Sequence, residues 1–179
     1  MPTSPANILY DLYETDRAET VRYTLGRREL RPLLVIGLNP STANQYTRDQ
    51  TLTRVEGFAH RRAKSLIMCN LYPLRATDPD DLPRIADPDL GNKNVKRIAT
   101  LCKEYDIREI WAAWGDPISK RSYLLSSLRQ IHKILSSHSP LWLKCGSLTQ
   151  KGHPRHPSRL PYKHRFTPFN ISHYLTKSF

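Results

Sequence analysis

The sequence predicts a three-layer α/β/α sandwich built around a mainly parallel central sheet. Four short apolar runs alternate with segments of helical spacing, which is the pattern of successive strand–helix–strand units. Each apolar run stops at a polar loop, and in a parallel sheet such loops meet at one edge. The length suits a single α/β domain over 1–179, with the motifs that carry information at about 20–162.

The first predicted strand is the apolar run from Leu33 to Leu38, which ends at the polar stretch 39–44. Short β-branched runs bounded by Pro and small polar residues are typical of strands buried on both faces. Pro40 fixes φ and removes one backbone donor, while the short polar side chains around it can hold a small ligand. The alternative is an ordinary turn in which these side chains bond to their own backbone.

The remaining elements follow in chain order. Apolar runs predict strands at 65–69, 109–114 and 141–145, and helical spacing predicts helices at roughly 50–63, 91–105 and 118–136. The loops at the strand ends carry Asn39, Asn70, Asp116 and His156. These four side chains are therefore expected to converge on one site.

Charge is distributed unevenly along the chain. All 16 acidic residues lie at or before Asp116, while 11 of the 28 basic residues and six of the seven histidines follow it. The segment 146–179 is basic and contains several His and aromatic residues. This asymmetry favours a polyanionic partner, namely DNA, either duplex or single-stranded. The alternative is the solvated surface of a basic protein without such a partner.

Composition sets the expected compartment and cofactors. The sequence shows no membrane-spanning run and no signal-like start, so a cytoplasmic protein without membrane contact is expected. With DNA as its partner the protein is expected to be nucleoid-associated, and it is expected to be a monomer. Cys69, Cys102 and Cys145 are far apart and form no Cys-x-x-Cys pair. They are expected to be reduced, Cys69 and Cys145 as small core residues, and neither a metal nor a cofactor is predicted.

Several motifs together resemble one family. They are R-Y-T-L-x-R-R at 22–28, L-N-P-S-T-A-N at 38–44, N-L-Y-P-L-R-A-T-D-P at 70–79, D-P-D-L-G-N-x-N at 87–94, A-A-W-G at 112–115 and G-H-P-R-H-P at 152–157. In this order they resemble an uncharacterised bacterial and phage family of unknown function, which implies no activity. Asn44 stands where that family usually has Asp, and Gln50 where it usually has Pro.

Three shorter stretches resemble the uracil-DNA glycosylase superfamily. V-I-G-L-N-P-S at 35–41 is similar to the water-positioning loop of the mismatch-specific uracil/thymine enzymes, and C-N-L-Y-P-L-R-A-T-D-P-D-D-L at 69–82 is similar to their next strand and loop. H-P-S-R-L at 156–160 is similar to the loop whose His stabilises the departing base and whose Leu wedges into the duplex. The resemblance implies a uracil-DNA glycosylase-like fold, with Asn39 holding water, His156 on the base and Leu160 as the wedge.

Hydrolysis of a base–sugar bond also makes chemical sense of these residues. It needs a positioned water, donors for the departing base, and a pocket that holds the base out of the stack. The predicted catalytic residues are Asn39, His156 and Asp49. The predicted base-binding residues are Asn70, Ser41, Thr42, Tyr46 and His153. The predicted DNA-binding residues are Arg155, Ser158, Arg159, Leu160, Lys163 and Arg75.

Some of these side chains have a second interpretation. Asp49 is either a catalytic carboxylate or the partner of an Arg, and for Asp116 pairing with an Arg is the favoured interpretation. Arg75 is slightly favoured to brace its own loop by bonding Asp78 rather than to contact phosphate.

Two classes of function compete. The first is DNA base excision, the hydrolysis of the N-glycosidic bond of a damaged or modified base. The second is a catalytically silent module on the same fold that binds nucleic acid or a modified nucleotide, which the amides of Asn39 and Asn44 favour because an amide cannot accept a proton as a carboxylate does. A third hypothesis, hydrolysis of a free nucleoside or nucleotide, leaves the basic C-terminal segment without a role.

Overall fold

In the computed structural model, residues 7–177 are described, so the first six and last two residues of the predicted domain lie outside the described range. These residues form a mixed α/β fold with one seven-stranded sheet and four α-helices. The strands are β1 (Leu12–Thr15), β2 (Arg22–Gly26), β3 (Leu33–Gly37), β4 (Leu66–Asn70), β5 (Glu109–Ala112), β6 (Leu141–Cys145) and β7 (Phe166–Pro168). The helices are α1 (Gln50–His60), α2 (Pro88–Glu104), α3 (Ser122–Leu135) and α4 (Ile171–Leu175).

The strands follow the order β1-β2-β4-β3-β5-β6-β7 across the sheet. The four central strands β4, β3, β5 and β6 are parallel, whereas β1, β2 and β7 pair antiparallel with their neighbours. The register aligns Gly37 of β3 with Asn70 of β4. The carboxyl ends of these two strands, and the polar loops that follow them, therefore lie side by side.

Helices cover both faces of the sheet, and the period-two alternation of β3 shows why both faces are apolar. Leu33 and Val35 join a buried cluster with α1, while Leu34 and Ile36 join the larger cluster that includes α2 and α3. Every residue of β3 is buried, as expected for a central strand with helices on both sides.

The sequence-based elements agree with this structure in the centre of the sheet and differ at its edges. The four apolar runs are the four parallel strands, and the three helical segments are α1, α2 and α3, each with bounds shifted by a few residues. The antiparallel strands β1, β2 and β7 were not predicted. Polar side chains interrupt their apolar pattern: Arg22 and Thr24 of β2 are both buried, and Thr24 donates to Glu14 of β1.

All three cysteines are free and buried, which confirms the core positions predicted for Cys69 and Cys145. Burial raises the pKa of the Cys69 and Cys102 thiols to about 12 and that of Cys145 to about 11. Protonated, buried thiols of this kind act as small apolar core residues, and their chemistry is not available to a ligand.

Candidate functional site

A cavity of about 420 Å³ opens at the carboxyl edge of the parallel strands. Its walls come from the loops after β3, β4 and β5, from the amino end of α1, and from the loop after β6. Its lining residues are Arg22, Leu38, Asn39, Ser41, Asp49, Gln50, Thr51, Leu52, Met68, Asn70, Ala76, Thr77, Pro79, Trp114, Pro117, His156 and Ser158. Strand ends at one edge of an open α/β sheet are the usual place for a ligand.

Asn39 begins the loop after β3 and is held by its amide nitrogen. Nδ2 donates to the carbonyl of Pro40 at 3.0 Å and to the carbonyl of Ala76 at 2.7 Å. An Asp here would set a carboxylate against two carbonyl oxygens, so this loop requires the amide. Oδ1 has no partner among the described residues, so it is the atom available to orient a ligand or a water.

Asn70 ends β4 and is fully buried. Neither Nδ2 nor Oδ1 has a hydrogen-bond partner among residues 7–177, although an unpartnered buried amide typically costs about 1–3 kcal/mol for each group. Its backbone carbonyl, by contrast, accepts from Nδ2 of the buried Asn94 at 2.8 Å. Gly37 makes room for the side chain, since a Cβ there would lie 2.7 Å from Asn70 Oδ1.

His156 enters the cavity from the loop after β6. Its Nδ1 accepts from the backbone N–H of Ser158 at 3.3 Å, which caps the short 3₁₀ turn 157–159 and leaves the ring proton on Nε2. Burial lowers the pKa of His156, while nearby Asp49 opposes that shift. With its pKa lowered and its proton on Nε2, His156 is a neutral donor at neutral pH.

The glycine of A-A-W-G allows the loop that carries His156 to approach β5, because a Cβ on Gly115 (φ 70°) would lie 2.9 Å from His156 Cβ.

Asp49 is the one carboxylate among the described lining residues of the cavity. It is the N-cap of α1, and its Oδ1 accepts from the backbone N–H of Leu52 at 2.7 Å. It forms no ion pair with the described residues. This position gives Asp49 a structural role at the start of α1 and leaves its second oxygen for a ligand or a water.

Arg22 also lines the cavity, and sequence reasoning did not assign it a role. It opens β2 and is only 2% exposed. Because β2 runs antiparallel to β4, its amino end lies at the carboxyl edge of the parallel strands. Burial lowers the pKa of Arg22 to about 10, with Arg75 adding to the shift, so the guanidinium remains charged at neutral pH. The R-Y-T-L-x-R-R motif was the available signal.

The other predicted base-binding residues are placed in different surroundings. Ser41 lines the cavity, whereas Thr42 lines a shallow neighbouring depression. Tyr46 is 43% exposed and lines neither of them. His153 is buried outside the cavity, with Nδ1 2.7 Å from the hydroxyl of Tyr174 and Nε2 3.1 Å from that of Ser119. Of this group, only Asn70 and Ser41 are brought together.

Leu160, the predicted wedge, is buried in this structure. Leu160 is 2% exposed and packs in the core cluster that contains α1, because the 3₁₀ turn before it presses the loop onto that helix. A buried core side chain cannot enter a base stack without unpacking the loop. Arg159 and Lys163, by contrast, are exposed, and Ser158 lines the cavity.

Two arginines brace loops. The Arg75 guanidinium donates to the carbonyls of Ser41 and Ala43 and to the hydroxyl of Tyr13. Arg75 therefore braces the loop after β3 and not its own loop, and the predicted bond to Asp78 is wrong because Asp78 caps a 3₁₀ turn. Arg155 Nε donates to the carbonyl of Ser147 at 2.9 Å.

Two further residues differ from expectation: Asp116, and Asn44 at a position where the family usually has Asp. Asp116 does not converge with Asn39, Asn70 and His156, because it lines a neighbouring depression and not the cavity. It accepts from the Thr149 hydroxyl and forms no ion pair with the described residues, so the predicted arginine partner is wrong. Asn44 Oδ1 accepts from the backbone N–H groups of Tyr46 and Thr47. An Asp and an Asn can serve this turn equally, because only an acceptor oxygen is needed. The departure at Asn44 therefore leaves the cavity unchanged.

The described residues contain no group of three or more His, Cys, Asp or Glu side chains placed to hold a metal ion. None of the helices within 7–177 is both long and apolar enough to cross a membrane.

Fold and site together define an α/β protein with a polar cavity at the carboxyl edge of its parallel strands. Residues 22–158 match the family described as "Protein of unknown function (DUF1643)", and the chain belongs to this family. Comparison with curated proteins gives no match, and comparison with solved structures gives none either. The matched range begins at Arg22 and ends at Ser158, so it contains every lining residue of the cavity.

Proposed function

We propose that the cavity receives a nucleobase turned out of DNA and that the protein hydrolyses the N-glycosidic bond of that base, which is damaged or modified. The buried carboxamide of Asn70 carries this proposal. Its two atoms have no partner among the described residues, and together they offer the adjacent donor and acceptor that match a base edge. A ligand that pairs with both atoms removes the cost of burying them.

The neighbouring side chains supply the remaining chemistry. A water held by Asn39 Oδ1 attacks C1′ of the sugar and gives its proton to Asp49. As the new C–O bond forms, the C1′–N bond breaks and its electron pair stays on the departing base. His156 Nε2–H donates to the negative charge that develops there, and the base then takes a proton from solvent. The products are an abasic sugar and the free base.

DNA as the partner is supported by the surface beside the cavity. A shallow depression shares His156 with the cavity and is also lined by Arg155, Arg159 and His164, together with one carboxylate, that of Asp116. With no acidic residue after Asp116, this side of the chain suits phosphate. Helices on both faces of the sheet and a strand-end site agree with a three-layer fold like that of uracil-DNA glycosylases. A nucleoid-associated location belongs to the same proposal.

The second candidate is a binding module without catalysis. It is favoured by two observations: Asp49 Oδ1 already caps α1, and the amide of Asn39 cannot act as a base. The burial of Leu160 also leaves the loop without an obvious wedge. A module that only binds a modified nucleotide needs neither a general base nor a wedge residue.

The test is single-turnover cleavage of duplex and single-stranded oligonucleotides that carry uracil, mismatched thymine, hydroxymethyluracil or bulkier modified pyrimidines. His156→Asn keeps an acceptor oxygen for the Ser158 N–H but removes the Nε2–H donor, so the rate should fall about 10²–10³-fold with little change in binding. His156→Gln does the opposite: it keeps a donor near the position of Nε2 but removes the acceptor for the Ser158 N–H. His173→Asn, at an exposed position on α4, is the matched control and should cleave as wild type does.

The outcomes separate the two candidates. Cleavage that survives His156→Asn unchanged would show that the chemistry is located elsewhere. Binding of a modified oligonucleotide without any cleavage by the wild-type protein would establish the binding module instead.

A further inference from the structure

Arg22 is a buried positive charge that forms no ion pair with a carboxylate among residues 7–177, although Asp49 is near enough to raise its pKa against the effect of burial. Its Nη1 donates to the carbonyl of Ala43 at 2.9 Å, while Nε and Nη2 have no hydrogen-bond partner within residues 7–177. Burying a charged group without a counter-charge costs several kcal/mol by order of magnitude, so such a group is retained where something binds it.

The charges around Arg22 leave a positive surplus at this wall of the cavity. Arg75 donates to the same Ala43 carbonyl at 3.1 Å, so two guanidinium groups meet at one oxygen atom. Asp49 is the only carboxylate that the described residues contribute to the cavity lining, and it offsets one of these two charges. His156 is neutral, because burial lowers its pKa.

The amino end of α1 adds to this field. Gln50, Thr51 and Leu52 line the cavity at the start of an 11-residue helix. The Asp49 side chain accepts from the Leu52 N–H alone, so the N–H groups of Gln50 and Thr51 have no acceptor among the described residues. Free N–H groups and the positive end of the helix dipole are a common binding site for phosphate.

We propose that Arg22 and the amino end of α1 bind a phosphate group of the nucleotide whose base is received by Asn70. The identity of the base rests on the proposed function, but the phosphate site does not depend on catalysis. The phosphate belongs either to the DNA strand at the extruded nucleotide or to a free nucleoside monophosphate. Both sources present the same oxyanion to a guanidinium fork.

Arg22→Met is the decisive variant. It removes a buried charge and retains an apolar chain of similar length, while the Ala43 carbonyl keeps its bond from Arg75. In phosphate-free buffer the variant should therefore melt at or above the wild-type Tm. Arg22→Lys, which keeps the charge without the fork, is the second variant. Arg84→Gln removes an exposed charge outside the cavity and is the control.

The experiment measures the shift in Tm with inorganic phosphate, with the four deoxynucleosides and their 5′-monophosphates, and with a short single-stranded oligonucleotide. Phosphate-bearing probes should stabilise the wild type and Arg84→Gln, and bind Arg22→Met about 10- to 100-fold more weakly. Monophosphates that bind better than both phosphate and nucleosides would identify a free nucleotide. Tight binding of the oligonucleotide alone would identify the DNA strand.

Two results would overturn the proposal. The first is that no phosphate-bearing probe stabilises the wild type, or that Arg22→Met responds to them as the wild type does. The second is that Arg22→Met melts well below the wild type in phosphate-free buffer while Arg22→Lys does not, which would make the charge structural. Base excision is measured separately, so its absence alongside phosphate binding would refute only the proposed reaction.

Discussion

Replacing Asn70 with Leu should stabilise the protein in the absence of a ligand. Leu has nearly the shape of Asn, and the carboxamide that it replaces is fully buried with both polar atoms unpartnered among the described residues. The backbone groups of the position are unaffected, so the donation from Asn94 to the Asn70 carbonyl remains. The variant therefore removes a cost without removing a hydrogen bond.

The expected gain follows from the cost of an unpartnered group. A buried donor or acceptor without a hydrogen bond costs about 1–3 kcal/mol. Close contact with Gly37 limits how well the methyl groups of the introduced Leu fit, and this offsets part of the gain. We expect the free energy of unfolding to rise by about 1–3 kcal/mol. For a chain of this length that is a rise in Tm of roughly 2–4 °C per kcal/mol.

The matched control is Asn94→Leu on α2. Asn94 is also a buried asparagine with one unpartnered atom, Oδ1, but its Nδ2 donates to the Asn70 carbonyl, so its replacement breaks a hydrogen bond and leaves a buried acceptor without a partner. Removal of the unpartnered Oδ1 offsets part of this loss, so the free energy of unfolding should fall by about 1 kcal/mol. Urea unfolding of the two variants gives opposite signs. A loss of stability in Asn70→Leu comparable with that in Asn94→Leu would refute the interpretation of Asn70 as a side chain reserved for a ligand.

Three further predictions concern the same region. Asn39→Asp should destabilise the protein by about 1–3 kcal/mol in urea unfolding, because a carboxylate cannot donate to the carbonyls of Pro40 and Ala76; a variant as stable as wild type would contradict these bonds. Burial lowers the pKa of His153 and His156 below the ordinary 6.5, so the two neutral rings contribute their full stability above pH 6.5 and lose it as the pH falls through the folded-state pKa values. The Tm should therefore drop between pH 7 and pH 5, and it should drop less in His156→Asn. The salt dependence of DNA affinity should weaken by about one unit of slope for each of Arg159→Gln and Lys163→Gln, measured by fluorescence anisotropy, and equal slopes for these variants and Arg84→Gln would remove the DNA surface from this loop.

The sequence by itself determined the centre of the fold and the ends of its strands. Continuous apolar runs identify the buried parallel strands, because both faces of such a strand need apolar side chains. The first polar residue after each run then marks the sheet edge. For this reason Asn39 and Asn70 could be assigned to one edge from sequence, and His156 through the loop that follows the last run. The structure brings these three to the cavity but leaves Asp116, which was expected with them, outside it.

Only the tertiary structure decided which atoms of that edge are free. The direction of the short strand β2 depends on its partner β4, and this pairing brings Arg22 into the cavity from a segment with no strand pattern. Leu160 is apolar in either role, and only the packing of its loop against α1 makes it a core residue. The amide nitrogen of Asn39 donates to two carbonyls, whereas the side-chain amide of Asn70 has no partner among the described residues. Residue type does not decide this difference, because the hydrogen-bond partners come from loops that are distant in sequence.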